Sequence, residues 1–296
     1  MTILLLGANG QVGHELRRSL ASLGCLVVAT TRSGELADGT RCEIADFDRP
    51  GSLADLVERV APSGIVNAAA YTAVDKAEDD ADAAFRANAE APDVLARACA
   101  ARGIPFVHYS TDYVFDGRGT QPYREDDPTA PLGVYGASKL AGEDAIRSAG
   151  GRHLILRTAW VYGNHGHNFM KTMLRLGADR DEVRVVADQV GTPTPAALIA
   201  DVTAELLRKQ DAPSGTFHLT PRGETSWHGF AEAIFEEAAA RGLIARAPKA
   251  LPIATSDYPT RARRPGYSRL DIGKLEGVLG HSLPEWRAGL RQVLGA

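Results

Sequence analysis

Short apolar runs of strand length alternate with longer amphipathic segments over much of the chain. The runs 2–6 and 64–67 are almost wholly apolar, as expected for strands of a parallel sheet that is covered on both faces. The segment from the first run to about residue 23, and the segment 88–102, have apolar residues at helical spacing. The predicted strands are 2–6, 25–29, 42–45, 64–67, 104–109, 154–157, 183–186 and 215–219.

Strands that alternate with helices predict an α/β protein built on a doubly wound parallel sheet. We expect residues 1–160 to form the larger domain, with residues 190–218 returning to it. The residues 161–189 and 219–296 are then left for a smaller α/β part that binds the substrate. In folds of this kind ligands lie at the carboxyl ends of the strands, so the residues at those ends are the candidates for chemistry.

Composition and charge narrow the function classes. The 296 residues carry a net charge of −4, which argues against a nucleic-acid binder, since such proteins usually present a basic surface. The apolar run 3–6 is too short for a signal peptide or a membrane-spanning helix. Cys25, Cys42 and Cys99 form no Cys-x-x-Cys pair, so neither a disulfide framework nor a zinc site is indicated. We expect a cytoplasmic protein with small-molecule partners.

A glycine-rich turn follows the first predicted strand and opens the first predicted helix. Its spacing, Gly7-x-x-Gly10-x-x-Gly13, lets the backbone turn, approach a pyrophosphate and pack the helix closely against the strand. The free N–H groups of the helix N-terminus, near Gln11 and Val12, favour an anion. The turn and its flanking elements predict a Rossmann unit that binds a dinucleotide, although a tight turn without a ligand is the alternative.

The end of the second strand bears on the choice of coenzyme. No acid stands where the ribose 2′-hydroxyl of NAD would be held, and Arg32 there can instead pair with a 2′-phosphate. We therefore expect NADPH to be preferred and leave NADH open as an accepted coenzyme; a solvated arginine is the alternative. After the third strand, Asp46 and Phe47 could flank the adenine, or Asp46 could serve a turn.

Two further strand ends supply candidate residues. The small residues after the strand 64–67, with Ala69, Ala70 and Tyr71, leave room for nicotinamide and ribose to lie across the sheet. Thr72 follows as a candidate substrate contact. The acidic segment 74–80 predicts the solvated start of a helix, where acidic residues interact favourably with the helix dipole. The strand 104–109 delivers Ser110 at its tip, next to further polar residues, where a hydroxyl could donate to a substrate carbonyl.

Tyr135 and Lys139 are four residues apart, so on a helix the phenol and the amine share one face. A phenol ordinarily holds its proton at neutral pH. A neighbouring cation stabilises the phenolate and makes donation of that proton to a developing alkoxide easier. The pair is thus a candidate acid catalyst, although the spacing alone is common on helices.

Five motifs together resemble the dTDP-4-dehydrorhamnose reductases, which are extended short-chain dehydrogenase/reductases. The match covers nearly the whole chain and keeps the motif order. The motifs are Gly7-x-x-Gly10-x-x-Gly13, Tyr109-Ser-Thr-Asp-Tyr-Val-Phe-Asp116, Pro131-x-x-x-Tyr135-Gly-x-x-Lys139, Arg157-Thr-Ala-Trp-Val-Tyr162 and Tyr258-Pro-Thr-x-Ala-Arg-Arg-Pro265. The resemblance implies NAD(P)H-dependent reduction of the C4 ketone of dTDP-4-dehydro-6-deoxy-L-mannose, which gives dTDP-L-rhamnose.

The resemblance also implies roles for particular residues. Thr111 would polarise the ketone, Tyr135 would protonate the new alkoxide, and Lys139 would lower the phenol pKa and hold the ribose. Ser110 and Asp112 could bind sugar hydroxyls, although Asp112 could instead fix the turn. The other implied or candidate substrate contacts are Trp160 against the sugar ring, Asn168 at a helix start, and Arg263 and Arg264 on the diphosphate.

One departure from the family concerns a metal. Some members dimerise through Mg²⁺ held by glutamates, one matching Glu15, but Ala197 stands where a second glutamate would lie. We therefore expect no Mg²⁺ at Glu15 and a monomer or weak homodimer. Two alternatives stay open, a reductase of another 4-keto-6-deoxy nucleotide sugar and a non-catalytic subunit similar to the regulatory subunit of methionine adenosyltransferase.

Overall fold

The computed structural model describes residues 1–209 and 213–295 of the protein. Its strands are β1 Thr2–Leu6, β2 Leu26–Thr31, β3 Glu43–Ile44, β4 Gly64–Asn67, β5 Phe106–Thr111, β6 His153–Thr158, β7 Val161–Tyr162, β8 Glu182–Val186, β9 Val190–Gly191, β10 Thr194–Pro195, β11 Gly215–His218, β12 Thr225–Ser226 and β13 Lys249–Ile253. Its α-helices are α1 Gln11–Ser22, α2 Gly51–Val60, α3 Val74–Ala77, α4 Ala81–Phe85, α5 Ala91–Arg102, α6 Val134–Ser148, α7 Phe169–Asp179, α8 Ala196–Arg208, α9 Trp227–Ala240, α10 Gly273–Leu279 and α11 Trp286–Leu294.

The seven strands of the main sheet are parallel and lie in the order β11-β6-β5-β4-β1-β2-β3. The chain runs outward from β1 to β3 and then crosses to β4 on the other side of β1. The direction of winding therefore reverses between β1 and β4, which is where doubly wound folds open a crevice for a ligand. The predicted α/β fold with a Rossmann-type sheet is confirmed.

Both faces of this sheet are buried. One face packs on α1, α8 and α10, through a core that includes Leu5, Leu16 and Ile199. The opposite face packs on α2, α5 and α6, through Leu4, Leu95 and Ile146. Because the residues of the central strands face one core or the other, these strands are nearly continuous apolar runs, and a polar residue on them stands out.

A separate core lies outside the main sheet. It joins α7, α9 and α11 with the parallel pair β8 and β13, and Phe230, Phe235 and Leu290 are almost fully buried in it. A smaller cluster around Phe115 and Tyr123 packs under the loop that follows β5. Among the described residues no helix is both long and apolar enough to span a membrane.

Several predicted elements agree with the structure and others differ from it. The strands 2–6 and 64–67 are found with the predicted bounds. The predicted helix 88–102 is interrupted at its start, because Arg86–Glu90 forms a π-helical turn ahead of α5. Helix α9 and strand β13 were not predicted. The expected ranges 190–218 and 219–296 also contain residues 210–212 and 296, which lie outside the described residues.

Candidate functional site

A cleft of about 1280 Å³ opens at the carboxyl edge of the sheet, above β1, β4 and β5. Its wall is formed by the glycine-rich turn, by the residues after β4, and by the tips of β5 and β6. Tyr135 and Lys139 reach it from α6. The predicted residues that line it are Gly7, Gly10, Gln11, Val12, Arg32, Phe47, Ala69, Ala70, Tyr71, Thr72, Ser110, Tyr135 and Lys139.

The backbone geometry explains each glycine of the turn. Gly7 has a φ of +78°, and a Cβ there would lie 2.6 Å from the Ala69 nitrogen. A Cβ on Gly13 would lie 2.1 Å from the Gly7 oxygen, so α1 can approach the turn only without a side chain. At Gly10 the nearest atom to such a Cβ is 3.2 Å away. The turn leaves the N-terminus of α1 facing the cleft, which fits the diphosphate of a dinucleotide.

The residues after β4 are held by two buried amides. Asn67 accepts a hydrogen bond from the Ala69 N–H at 3.1 Å. Asn88 accepts from the Tyr71 N–H at 2.9 Å and donates to the Tyr71 carbonyl at 3.0 Å. The segment 69–72 is therefore fixed along the cleft, and the small side chains of Ala69 and Ala70 leave space there.

Arg32 and Asp46 have different surroundings from each other. Arg32 lines the cleft, is largely exposed, and lies 3.6 Å from Asp48. Asp46 is not among the residues that line the cleft. Its carboxylate accepts from the Asp48 N–H at 3.1 Å and from Arg49 at 2.8 Å, so the contacts support the turn reading rather than an adenine contact. Phe47 is buried in the core and presents only an edge to the cleft.

Tyr135 lies beside the tip of β5. A hydrogen bond with Thr111 lowers the pKa of the Tyr135 phenol, but burial is the larger influence and raises that pKa above its ordinary value. The Thr111 hydroxyl also donates to the Asp112 carboxylate at 2.9 Å. The phenol is thus protonated at neutral pH, and Thr111 and Tyr135 place two hydroxyls together.

Lys139 is 2% exposed, and its amine donates to the Tyr109 carbonyl at 2.6 Å. Nε2 of His108 lies 3.1 Å from the same amine. Burial lowers the pKa of Lys139 to about 8, while the charge of Glu143 acts in the opposite direction. The expected lowering of the phenol pKa by Lys139 is not seen, because burial raises the pKa of Tyr135 and Lys139 is not among the groups that shift it.

Asp112 and Glu143 are both buried near the β5 tip, and their pKa values shift in opposite directions. Burial raises the pKa of Asp112 to about 6, although hydrogen bonds from Ser268 and Thr111 oppose the shift. Burial would also raise the pKa of Glu143, but hydrogen bonds and the charge of Arg157 bring it below the ordinary value. Arg157 binds Glu143 through two nitrogens, at 2.8 and 2.7 Å.

The sequence and the fold both match known proteins. A family model described as the RmlD substrate binding domain matches residues 1–296. A dTDP-4-dehydrorhamnose reductase of Burkholderia thailandensis is 51% identical, over 97% of this chain and 96% of that protein. One of Salmonella typhimurium is 44% identical, over 99% of this chain and 97% of that protein. This chain belongs to the dTDP-4-dehydrorhamnose reductase family. The predicted resemblance is confirmed.

Solved structures of the same family superpose closely. A dTDP-4-dehydrorhamnose reductase of Clostridium acetobutylicum has a TM-score of 0.90 at 37% identity and covers 100% of this chain and 99% of its own. A Bacillus anthracis reductase, solved in complex with NADP, has a TM-score of 0.89 at 33% identity and covers 99% of this chain and 98% of its own. The fold described above is therefore the fold of the family.

Trp160 is held in an uncommon conformation on the side of the cleft expected to take the substrate. Its φ is +47°, in the left-handed region that side chains other than glycine rarely adopt. Its indole stacks on that of Trp227, with ring centroids 3.6 Å apart and planes 9° from parallel. Trp227 had no predicted role, and the sequence offers no signal that pairs the two.

Asn168 caps a helix in this structure. Its Oδ1 accepts from the Lys171 N–H at 3.0 Å, and its Nδ2 donates to Gln11 at 2.8 Å and to the Gly163 carbonyl at 2.7 Å. Both ends of the amide are thus engaged within the protein. The amide links α7 to the glycine-rich turn, and the substrate contact at Asn168 stays a prediction.

The two predicted diphosphate arginines differ in their surroundings. Arg263 is exposed. Arg264 donates to Asp75 at 2.7 Å and to the Tyr113 hydroxyl at 3.1 Å, and the Tyr113 ring stands edge-on to that of Tyr135 at 5.5 Å. Asp75 belongs to the acidic segment 74–80, which was predicted to be a solvated helix start. Through this contact it anchors the segment that carries Arg264.

Glu15 accepts a hydrogen bond from Arg18 at 3.2 Å, and Arg18 also contacts Asp201 at 3.0 Å. Within residues 1–209 and 213–295, no group of three or more potential ligands is arranged to hold a metal. The expectation of no Mg²⁺ at Glu15 stays a prediction, because the structure contains no ions.

Proposed function

We propose that the protein reduces the C4 ketone of dTDP-4-dehydro-6-deoxy-L-mannose to dTDP-L-rhamnose, with NADPH as coenzyme. The observation that carries this proposal is the Tyr135 phenol, which belongs to the lining of a cleft shaped for a dinucleotide and is hydrogen-bonded to Thr111 at the end of β5. The named relatives with this sequence pattern are reductases of this type.

The residues of the cleft fit the coenzyme. The glycine-rich turn would hold the diphosphate, Arg32 the 2′-phosphate, and the segment 69–72 would pass along the nicotinamide and its ribose. When bound, the coenzyme supplies a hydride. NADP is the ligand in the related Bacillus anthracis structure, which supports the preference for NADPH.

The protein's own residues then handle the proton. Tyr135 is protonated, because burial raises its pKa, and it donates that proton to the alkoxide that forms at C4. Thr111 would turn its hydroxyl from the Asp112 carboxylate, to which it donates in this structure, toward the ketone oxygen as negative charge develops there. Lys139 would hold the ribose hydroxyls and return a proton to Tyr135, and the lowered pKa of Lys139 makes that return easier.

We further propose that the Rossmann domain comprises 1–160 with 190–218, and that the remaining residues bind the sugar nucleotide, although α10 among them packs on the main sheet. Support comes from β11, which pairs with β6 of the main sheet, and from the separate core around α7, α9 and α11. We place the enzyme in the cytoplasm, because its three cysteines are free thiols and a reduced coenzyme must be supplied. We propose a monomer or weak homodimer, because Ala197 stands where a second glutamate would hold a bridging Mg²⁺.

A coupled reaction tests the proposed function. The protein is incubated with dTDP-4-dehydro-6-deoxy-glucose, a matching 3,5-epimerase and NADPH, and the loss of NADPH absorbance is followed. NMR of the product should identify dTDP-L-rhamnose. A different sugar would redirect the proposal to another 4-keto-6-deoxy substrate, and binding of NADPH without any turnover would favour a non-catalytic subunit.

A further inference from the structure

A chain of three buried side chains runs from the sheet to the amine of Lys139. Nδ2 of Asn67 lies 3.1 Å from Nδ1 of His108, and Nε2 of His108 lies 3.1 Å from Nζ of Lys139. Asn67 and His108 are each 1% exposed, so water has little access to replace a partner that either loses, whereas Lys139 is 2% exposed and lines the cleft. Asn67 and His108 have no role in the reaction steps proposed above.

The sheet register brings Asn67 and His108 together. They are direct partners in the parallel pairing of β4 with β5, so their side chains stand next to each other on one face. That face packs against α6, which carries Lys139. The next residue, Tyr109, points to the opposite face and contacts Thr203, while its carbonyl accepts from Lys139.

The hydrogen-bonding groups of the chain fix where its protons lie. Oδ1 of Asn67 accepts from the Ala69 N–H, so Nδ2 is the end that faces His108. Nδ1 of His108 must then accept, and a neutral ring that accepts at Nδ1 carries its proton on Nε2. An Nε2–H can donate to Lys139 only if the lysine is an uncharged amine with a free lone pair.

A charged Lys139 reverses this arrangement. The ammonium needs an acceptor at Nε2, which moves the ring proton to Nδ1, where it faces the Asn67 N–H groups. The ring itself stays neutral, because burial and the charge of Lys139 both lower the pKa of His108 well below its ordinary value. The Asn67 amide therefore favours the tautomer that pairs with an uncharged lysine.

We propose that Asn67 and His108 are positioning residues that set the proton affinity of Lys139, so that the lysine readily returns a proton to Tyr135 after each reduction. The N–H bond of the Lys139 ammonium breaks, the O–H bond of the phenol forms, and solvent water restores the lysine proton. This inference rests on the proposed reductase reaction, in which Tyr135 gives up its proton to the alkoxide.

The other charged groups around Lys139 belong to α6 and β6. Glu143 raises the pKa of Lys139, but its carboxylate is shared with Arg157 and Arg147. The Tyr135 phenol lines the same cleft and is neutral at physiological pH. His108 supplies the side-chain hydrogen bond to the amine, so a change at His108 or Asn67 acts on Lys139 most directly.

The decisive variant is Asn67→Asp. It keeps the acceptor for the Ala69 N–H but replaces the donor that faces His108 with a second acceptor. Nδ1–H of His108 would then donate to the carboxylate, and Nε2 would accept from a charged Lys139. In the pH profile of kcat/KM, we expect the alkaline limb to move to higher pH by about one unit or more, because the charged form of Lys139 is stabilised.

A His108→Phe background separates an effect transmitted through the His108 ring from simple attraction between the new carboxylate and Lys139. In a His108→Phe protein the same Asn67→Asp change adds the carboxylate but has no ring to transmit it, so the alkaline limb should move by less than half as much. An unmoved limb in the single Asn67→Asp variant, or equal shifts in the two backgrounds, would overturn the proposal.

Nitrogen-15 NMR of His108 in the wild-type protein provides a second test that needs neither a variant nor turnover. Across about pH 6 to 10 the ring should stay neutral while its proton moves from Nδ1 to Nε2 as Lys139 loses its charge. A single tautomer throughout the titration contradicts the proposal. If the tautomer changes as expected but no dTDP sugar is reduced, the proposed function is wrong. The coupling of His108 to Lys139 then still holds.

Discussion

The two sides of the cleft are built in different ways. The coenzyme side is made of backbone, since the turn at Gly7 and the helix start behind it leave N–H groups and open space. The residues proposed to bind the substrate are side chains that already contact other parts of the protein, such as Trp160 on Trp227 and Arg264 on Asp75. A coenzyme can therefore enter a formed site, whereas a sugar nucleotide meets side chains that are held by other parts of the chain.

The largest expected effect comes from a substitution in the glycine-rich turn on the coenzyme side. In Gly13→Ala the new Cβ would lie 2.1 Å from the Gly7 oxygen, so the helix must move away from the turn. We expect a loss of about 3 kcal/mol in the free energy of unfolding and loss of NADPH binding. Denaturant unfolding and fluorescence titration with NADPH measure both.

The matched control is Gly10→Ala, where the nearest contact would be 3.2 Å away. It should cost about 1 kcal/mol or less. Equal losses at the two positions would show that close helix packing is not what the third glycine provides.

Asp112, at the boundary between the two sides, makes stability depend on pH. Burial raises its folded pKa to about 6, above the ordinary value of 3.8, so between these values the folded state binds more protons than the unfolded state. Stability contributed by this group must then fall as pH rises through that window, by about 2–3 kcal/mol in total. Unfolding measured at several pH values should show this slope.

The Asp112→Asn variant should have a flatter profile between about pH 4 and 6 than the wild-type protein, because the amide does not titrate. Equal slopes of the free energy of unfolding against pH in the Asp112→Asn variant and the wild-type protein would contradict the assignment to Asp112.

A change at Trp227 should affect the substrate side alone. Trp227→Leu removes the ring that stacks on Trp160, and Trp160 would lose support for its left-handed backbone. We expect KM for the sugar nucleotide to rise about fivefold, since such aromatic pairs contribute about 1 kcal/mol beyond their buried area. Trp227→Phe, which can still stack, is the control, and an altered affinity for NADPH in Trp227→Leu would show that the two sides are coupled.

The smallest expected effect is a difference in stability between variants of the two neighbouring arginines, Arg263 and Arg264. Arg264→Met should lower the free energy of unfolding by about 0.5–1 kcal/mol, because the ion pair with Asp75 is partly exposed. Arg263→Met should leave stability unchanged and raise only KM for the sugar nucleotide. Identical losses of stability in both variants would mean that the contact with Asp75 does not anchor the segment.

The sequence was informative where one local pattern has one physical explanation. The strand, turn and helix around Gly7 can be read directly because both the apolar run and the glycine spacing are local. Asn168 and Asp46 are less informative, because an amide or carboxylate that could bind a ligand is equally suited to cap a helix or close a turn. Local sequence does not distinguish these uses.

Contacts between distant segments account for the rest. Arg264 and Asp75 are 189 positions apart, and Trp160 pairs with a residue of a helix that the sequence did not predict. Asn67 and His108 were visible only as polar residues on apolar strands. Their pairing depends on the register of β4 with β5, and no single strand contains that information.

Single-turnover hydride transfer in Tyr135→Phe tests the central claim most directly. The variant lacks the phenolic proton but keeps the ring, so it should fold and bind NADPH like the wild-type protein. We predict that reduction of dTDP-4-dehydro-6-deoxy-L-mannose slows by about 10²- to 10⁴-fold. Reduction at the wild-type rate, with NADPH binding intact, would contradict the role of Tyr135 as proton donor.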